Sequence, residues 1–352
     1  MIEVLNIQPL GEADLASIKV VDPSVNLTDA QGWFNGEICE TWPPYVTRFY
    51  VGSDRIGKGT REERDAMLAK ADVFLCGWPY PLDVRRRAPN LKWFHHFYAG
   101  ANNLHRSDVW GSDVIVSTSR GAGNTLPIAE YVVAGILHFA KDFQRAWFDR
   151  DTGKFRRPSY APLSIAGKTV CVVGVGGIGR EVGRLCAALG MRVVGTRKQA
   201  SGEGSTDLPE GFSDLRGPDG LNTLLSKSDF VAICCQLTKE TEGLFDAAAF
   251  RAMKPGSVLV NIARGEIVEE ASLIEALDAD HLRGVVLDVY TGEFKHPPDE
   301  RLWKHPQVLM TPHLSGGTDS FKSRALKLLC DNLKAFIEGR PMTNVIDWER
   351  GY

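Results

Sequence analysis

The chain has 352 residues, 43% hydrophobic and 24% charged, with a net charge of −3. That is ordinary globular composition at a length suited to about two domains, and it carries no global basic field to attract nucleic acid or an anionic membrane. The seven cysteines show no CxxC or zinc-ligand spacing and their number is odd, so neither a disulfide framework nor a metal site is expected, and a cytoplasmic setting is.

The opening MIEVLNIQPL has no basic segment followed by a long apolar one. It reads as a first strand rather than a signal peptide. IEVLNI, VTRFYVG, DVFLCGW, KWFHHF and VIVSTS read as strands, with TREERDAMLAKA as a helix among them. Strands alternating with helices imply βαβ units and a parallel sheet. A long helix is expected from Pro127 to Trp147, because proline suits a first helical turn. Its stretch IAEYVVAGILHFA is interrupted by Glu130 and His138, and no run reaches the ~18 apolar residues of a membrane span.

A second series then begins at KTVCVVGVG. MRVVGT, SDFVAICC, SVLVNIA and GVVLDVY follow, and their near-continuous apolar character is that of parallel strands covered on both faces. The segment TDSFKSRALKLLCDNLKAFIEGR closes the chain as a helix. The expected fold is α/β, with two doubly wound parallel-sheet domains and a cleft between them.

The turn VGVGGIG sets Gly174, Gly176 and Gly179 in GxGxxG spacing around Gly177 and Ile178. With a strand before it and an amphipathic helix after it, the motif predicts a pyrophosphate seat at a helix N-terminus. The next strand should end near the adenosine ribose, where an acid selects NAD and a basic group suits a 2′-phosphate. Here Arg197 and Lys198 stand 18 and 19 residues after Gly179. They favour NADP; if they merely face water, either cofactor serves.

Three further strand ends carry candidate chemistry. Arg264 follows VLVNIA, Glu293 follows LDVYTG, and His313 follows VLMTP. An arginine clamps a carboxylate and polarises a carbonyl. A histidine exchanges a proton near neutral pH, and a carboxylate orients it and favours its charged form.

From PNLKWFHHFYAGANNL through RGAGNTLPIAEYVVAGIL, MKPGSVLVNIARGEIVEEASLIEAL and VLMTPHLSGG, the chain resembles the D-isomer-specific 2-hydroxyacid dehydrogenases. The resemblance covers nearly everything after residue 85. It implies a Rossmann cofactor domain, 121–314, inserted into a flavodoxin-like substrate domain made of 1–120 and 315–352. It further implies that Arg264 binds and polarises a 2-oxo acid, and that His313, paired with Glu293, is the acid in reduction and the base in oxidation. Asp288 would touch the nicotinamide carboxamide, with Cys235, Thr241 and Ala263 near the cofactor. The loop Tyr98, Ala99, Gly100, Ala101 would hold the substrate carboxylate through backbone N–H groups. A homodimer joined through the cofactor domain is expected, with a small 2-oxo or 2-hydroxy acid as the other partner.

The chain departs from the family pattern at Tyr98, Asn102 and Gln236. Tyr98 is expected either to shape the substrate pocket or to pack beneath its loop. His95, His96 and His138 are not expected to be functional: the first two are expected to be packed or hydrogen-bonded histidines in a strand, and Glu130 an interdomain hydrogen-bonding residue rather than an acid catalyst. A dinucleotide-sensing protein of the corepressor type is the alternative from another class. A formate dehydrogenase is disfavoured because it pairs its histidine with glutamine.

Overall fold

The apolar runs assemble into two parallel sheets, each in its own compact unit. The computed structural model describes residues 1–100, 102–120, 124–198, 208–293 and 295–348. One unit is Met1–Gly123 with Asp319–Tyr352, and the other is Asn124–Thr318.

The first unit carries β1 (Ile2–Asn6), β2 (Val25–Asp29), β3 (Val73–Cys76), β4 (Trp93–His96) and β5 (Ile115–Thr118), in the order β2-β1-β3-β4-β5. β3 and β4 are buried along their whole length, as central parallel strands should be. The order reverses between β1 and β3, so the carboxyl ends of those two strands flank the topological switch point, where such sheets bind ligands.

The second unit carries β6 (Thr169–Val173), β7 (Arg192–Thr196), β8 (Phe212–Arg216), β9 (Phe230–Ile233), β10 (Ser257–Asn261), β11 (Leu282–Leu287) and β12 (Val308–Met310). Their order, β12-β11-β10-β9-β6-β7-β8, is that of a Rossmann fold with its switch point between β6 and β9. One core face gathers Val173, Val231, Leu259 and Val285. The other gathers Val172, Ala232, Val260 and Val286 under the helix Thr125–Ala140.

Two expectations are corrected. VTRFYVG is no strand: Pro44–Tyr50 is a helix with proline in its first turn, burying Val46 and Thr47. The rigid φ of Pro44 suits a helix start, and that outweighs the β-branched and aromatic composition. The helix expected over 127–147 is two helices, Thr125–Ala140 and Phe143–Thr152. The chain turns at Asp142, whose φ is +58°, and the Asp142 carboxylate binds Arg283 at 2.5 Å. That ion pair holds the left-handed residue which ends the first helix.

Candidate active site

The glycine turn leaves β6 at Gly174 with φ +97°, where a Cβ would lie 2.5 Å from the backbone of Cys235. Only glycine fits there. A Cβ on Gly179 would lie 2.3 Å from the Gly174 carbonyl oxygen, so the helix Gly177–Ala188 packs tightly on the turn. Above Gly176, by contrast, there is open space for 4 Å. The first helical bond runs from Arg180 N to Gly176 O at 2.9 Å, which leaves the N–H groups of Gly177, Ile178 and Gly179 ahead of the ladder. With the positive end of the helix dipole, these groups fit an anionic pyrophosphate.

Cys235 thus abuts the turn through its backbone, and burial pushes its thiol up to about 12. The Thr241 hydroxyl accepts from Thr238 N at 2.8 Å and donates to Gln236 O at 2.6 Å, fixing the loop after β9. Arg197 is half-buried at the end of β7 and donates its backbone N–H to Arg216 O at 2.9 Å. Lys198 is exposed and lies 3.3 Å from Glu240. Glu240 also takes the Thr238 hydroxyl at 2.7 Å. That bond first, then a backbone N–H and Lys198, hold its carboxyl down to about 2. A counter-charge to Lys198 could not be read from the sequence, since the two residues are 42 positions apart.

Arg264, Glu293 and His313 come from three neighbouring strand ends and form one electrostatic group. His313 Nδ1 lies 2.9 Å from Glu293 Oε1. An ionised carboxylate only accepts, so Nδ1 is the donor of this bond. Glu293 is itself 9% exposed at its side chain, against 37% for His313, so the imidazole is open on one side and braced on the other. Desolvation lowers the proton affinity of the half-buried Arg264 guanidinium, while the charges of Glu293 and Glu266 oppose that shift. Arginine remains cationic under such a shift. Asn261 at the end of β10 fixes the loop, donating from Nδ2 to Arg264 O at 2.9 Å and accepting from Ala263 N at 3.0 Å.

His313 adopts φ +51°, a left-handed conformation that costs a non-glycine residue roughly 1–2 kcal/mol. Asp288 holds it there. The His313 N–H donates to Asp288 O at 2.9 Å. The Asp288 carboxylate, 1% exposed, accepts Leu314 N on Oδ1 and Ser315 N on Oδ2, both at 2.8 Å. Oδ1 also accepts the Thr311 hydroxyl at 2.7 Å. Since that hydroxyl's proton is spent on the carboxylate, Tyr131 must be the donor in its 2.5 Å contact with Thr311 Oγ1. Sequence reasoning missed Asn261, Thr311 and Tyr131. Thr311 stands only two residues before the histidine, but Tyr131 is 180 positions away.

The remaining expected residues lie in the first unit, on the segment after β4. Tyr98 is exposed, Ala99 and Gly100 are half-buried, and Ala101 lies outside the described residues. The Tyr98 ring stacks on Phe321 at 6.3 Å and 7°. His95 and His96 are packed in β4 as expected. Ser117 Oγ accepts from Trp93 Nε1 at 2.9 Å and lies 2.9 Å from His95 Nδ1. Glu130 faces solvent.

Residues 133–315 match the model of the D-isomer specific 2-hydroxyacid dehydrogenase NAD-binding domain. A D-3-phosphoglycerate dehydrogenase of Archaeoglobus fulgidus is 31% identical over 265 residues, covering 75% of this chain and 49% of the relative. The chain therefore spans about half the length of that relative. An (S)-sulfolactate dehydrogenase of Chromohalobacter salexigens is 31% identical over 252 residues, covering 72% of this chain and 79% of the relative. Among solved structures, a D-isomer specific 2-hydroxyacid dehydrogenase of Xanthobacter autotrophicus Py2, in complex with NADPH and MES, superposes with a TM-score of 0.77. It is 25% identical and covers 99% of both chains.

Proposed function

Because the chain belongs to the D-isomer specific 2-hydroxyacid dehydrogenases, we propose that it reversibly reduces a 2-oxo acid to the D-2-hydroxy acid, using NADP in preference to NAD. The observation that carries this reading is the Glu293-braced His313 with the Arg264 guanidinium coupled to the same carboxylate. A bound nicotinamide supplies the hydride for C2. His313, with Nδ1 committed to Glu293, gives a proton from Nε2 to the carbonyl oxygen and takes it back in oxidation. Arg264 binds the 2-oxo acid and stabilises the charge developing on that oxygen, a contribution of roughly 3 kcal/mol for a well-placed donor.

Asp288 has about four lone-pair sites and gives three of them to Thr311, Leu314 and Ser315. One site on Oδ2 remains for the carboxamide of the nicotinamide. Backbone N–H groups of 98–101 receive the substrate carboxylate, a role that rests on the resemblance of that segment. Arg197 and Lys198 support NADP, as does the NADPH of the Xanthobacter protein. The free state of all seven cysteines supports a reducing, cytoplasmic setting. The protein acts as a homodimer in this reading, joined through the second unit. Among the described residues no helix is long and apolar enough to cross a membrane.

His313→Ala should lower kcat by roughly 10²- to 10⁴-fold while NADPH affinity, followed by fluorescence titration, stays within about twofold. Unchanged turnover would remove His313 from the chemistry. Retained dinucleotide binding in a wild-type protein with no turnover of any 2-oxo acid would instead favour the sensing role.

A further inference from the structure

The first unit contains a cavity that the proposed chemistry does not use. It opens at the carboxyl ends of β1 and β3, between Ile7–Pro9 and Gly77–Pro79, which is the switch point of that sheet. Its volume is ≈ 180 Å³, and about 150 Å³ is enough to take a benzene-sized ring.

Four aromatic side chains line it: Phe34, Tyr50, Trp78 and Tyr98. Tyr50, Trp78 and Tyr98 are packed against one another or against neighbouring rings. Trp78 meets Tyr50 edge-on at 4.7 Å and Trp42 at 5.3 Å, and Tyr98 is stacked on Phe321. Such rings hold a planar apolar group without losing side-chain freedom.

The polar lining is neutral. It includes the amides of Gln8, Gln31 and Asn35 and the polar tips of Tyr50, Trp78 and Tyr98, and no charged side chain borders the cavity among the described residues. A phosphate or sulfonate would enter without a cationic partner, and burying an unpaired charge is prohibitively costly. Gln8 is only 7% exposed and lines the cavity. An amide at a cavity wall can donate to or accept from a ligand hydroxyl or an equivalent neutral group.

The cavity also touches the proposed carboxylate loop, because Tyr98 lines the one and begins the other. We propose that this cavity receives the C3 substituent of the substrate, and that the substrate is a 2-oxo acid bearing an uncharged, ring-sized apolar group with a hydrogen-bonding function for Gln8. The proposal rests on the 2-oxo acid reading above and deepens it. It separates this chain from relatives named for phosphorylated or sulfonated acids.

The test is steady-state kinetics of the full chain with NADPH and four acids: phenylpyruvate, 4-hydroxyphenylpyruvate, 3-phosphohydroxypyruvate and glyoxylate. The aryl acids should exceed the other two in kcat/KM by roughly 100-fold. Trp78→Ala should lower the phenylpyruvate-to-glyoxylate ratio by about tenfold. Val51→Trp, which fills the rim from a half-buried position, should move the ratio the same way and guards against a Trp78 variant that fails to fold. Gln8→Leu should abolish a preference for 4-hydroxyphenylpyruvate over phenylpyruvate.

Preference for glyoxylate or 3-phosphohydroxypyruvate, or a ratio unmoved by both cavity variants, would overturn the cavity assignment and leave 2-oxo acid reduction standing. If no acid turns over, phenylpyruvate is titrated against tryptophan fluorescence. Saturable binding lost in Val51→Trp then keeps the cavity and rejects the reduction, whereas absence of binding rejects both.

Discussion

At the scale of single residues, His313 is held in a backbone conformation it would not choose alone. The φ of +51° at His313 is sustained by a directed chain, Tyr131 to Thr311 to Asp288, whose last member grips the two N–H groups after the histidine. Hydrogen bonds in such a buried series reinforce one another. Burial raises the Tyr131 phenol to about 12, with the Thr311 hydroxyl opposing the shift and the Asp288 charge adding to it, so this donor keeps its proton throughout the working pH range. Thr311→Val conserves shape but removes the hydroxyl, leaving the Tyr131 donor and one Asp288 lone pair unanswered, at a cost of about 1–3 kcal/mol. Turnover should fall by about tenfold, because a small displacement of an acid–base group is expensive, while the KM for NADPH changes little. A thermal shift without any change in kcat would reduce the chain to a packing role.

At the scale of elements, β4 and β7 each set a measurable property. His95 and His96 are buried in β4, and desolvation pushes them from 6.5 to about 3 and about 4. His96 adds to the fall at His95, while the Tyr98 carbonyl opposes it at His96. Below about pH 6.5 the unfolded chain takes up protons that the folded chain refuses until about pH 4, so stability falls as acid is added. Each histidine contributes a slope of about 1.4 kcal/mol per pH unit in that window. Urea unfolding at pH 7 and pH 5 should show this loss, and His95→Gln should flatten the slope whatever it does to absolute stability. An equal slope in wild type and variant would place the acid sensitivity elsewhere.

In the proposed function the end of β7 selects the cofactor. Arg197→Ala should raise the KM for NADPH much more than that for NADH, since a guanidinium grips a 2′-phosphate and has less to offer a hydroxyl. Equal effects on both would mean that the side chain only faces water. Lys198 contributes less, because Glu240 already answers its charge at an exposed position.

These elements also mark where sequence was sufficient and where it failed. The central strands were legible because burial on both faces demands unbroken apolar runs, as in Val73–Cys76 and Phe230–Ile233. The edge strands Val25–Asp29 and Phe212–Arg216 were not, because each lies at one end of its sheet and keeps a polar, partly exposed pattern. The glycine turn and the grouping of Arg264, Glu293 and His313 were legible through motif and spacing. Their supports, Tyr131 above all, depend on contacts that only folding creates, and Trp78, unlike Tyr98, had no local pattern to announce its place in the cavity wall.

At the scale of the whole molecule, one surface of the second unit is unlike the rest. Phe143, Trp147 and Phe148 on the helix Phe143–Thr152 are 54%, 58% and 49% exposed. Phe155, just beyond it, is 97% exposed. Arg150 lies 4.4 Å over the Trp147 ring and Arg145 lies 5.7 Å over Phe148, giving the patch the aromatic and arginine character that protein interfaces favour. Exposed aromatic clusters of this kind mark association sites. A second copy of the chain can satisfy such a patch with the same surface, as two-fold symmetry requires. Light scattering after gel filtration should give twice the mass of one chain. Trp147→Asp, at a position open to solvent in the single chain, should shift the protein toward monomer without lowering the melting temperature of the folded unit by more than the lost association accounts for. A wild-type protein that stays monomeric at micromolar concentration would assign the aromatic patch to some other partner.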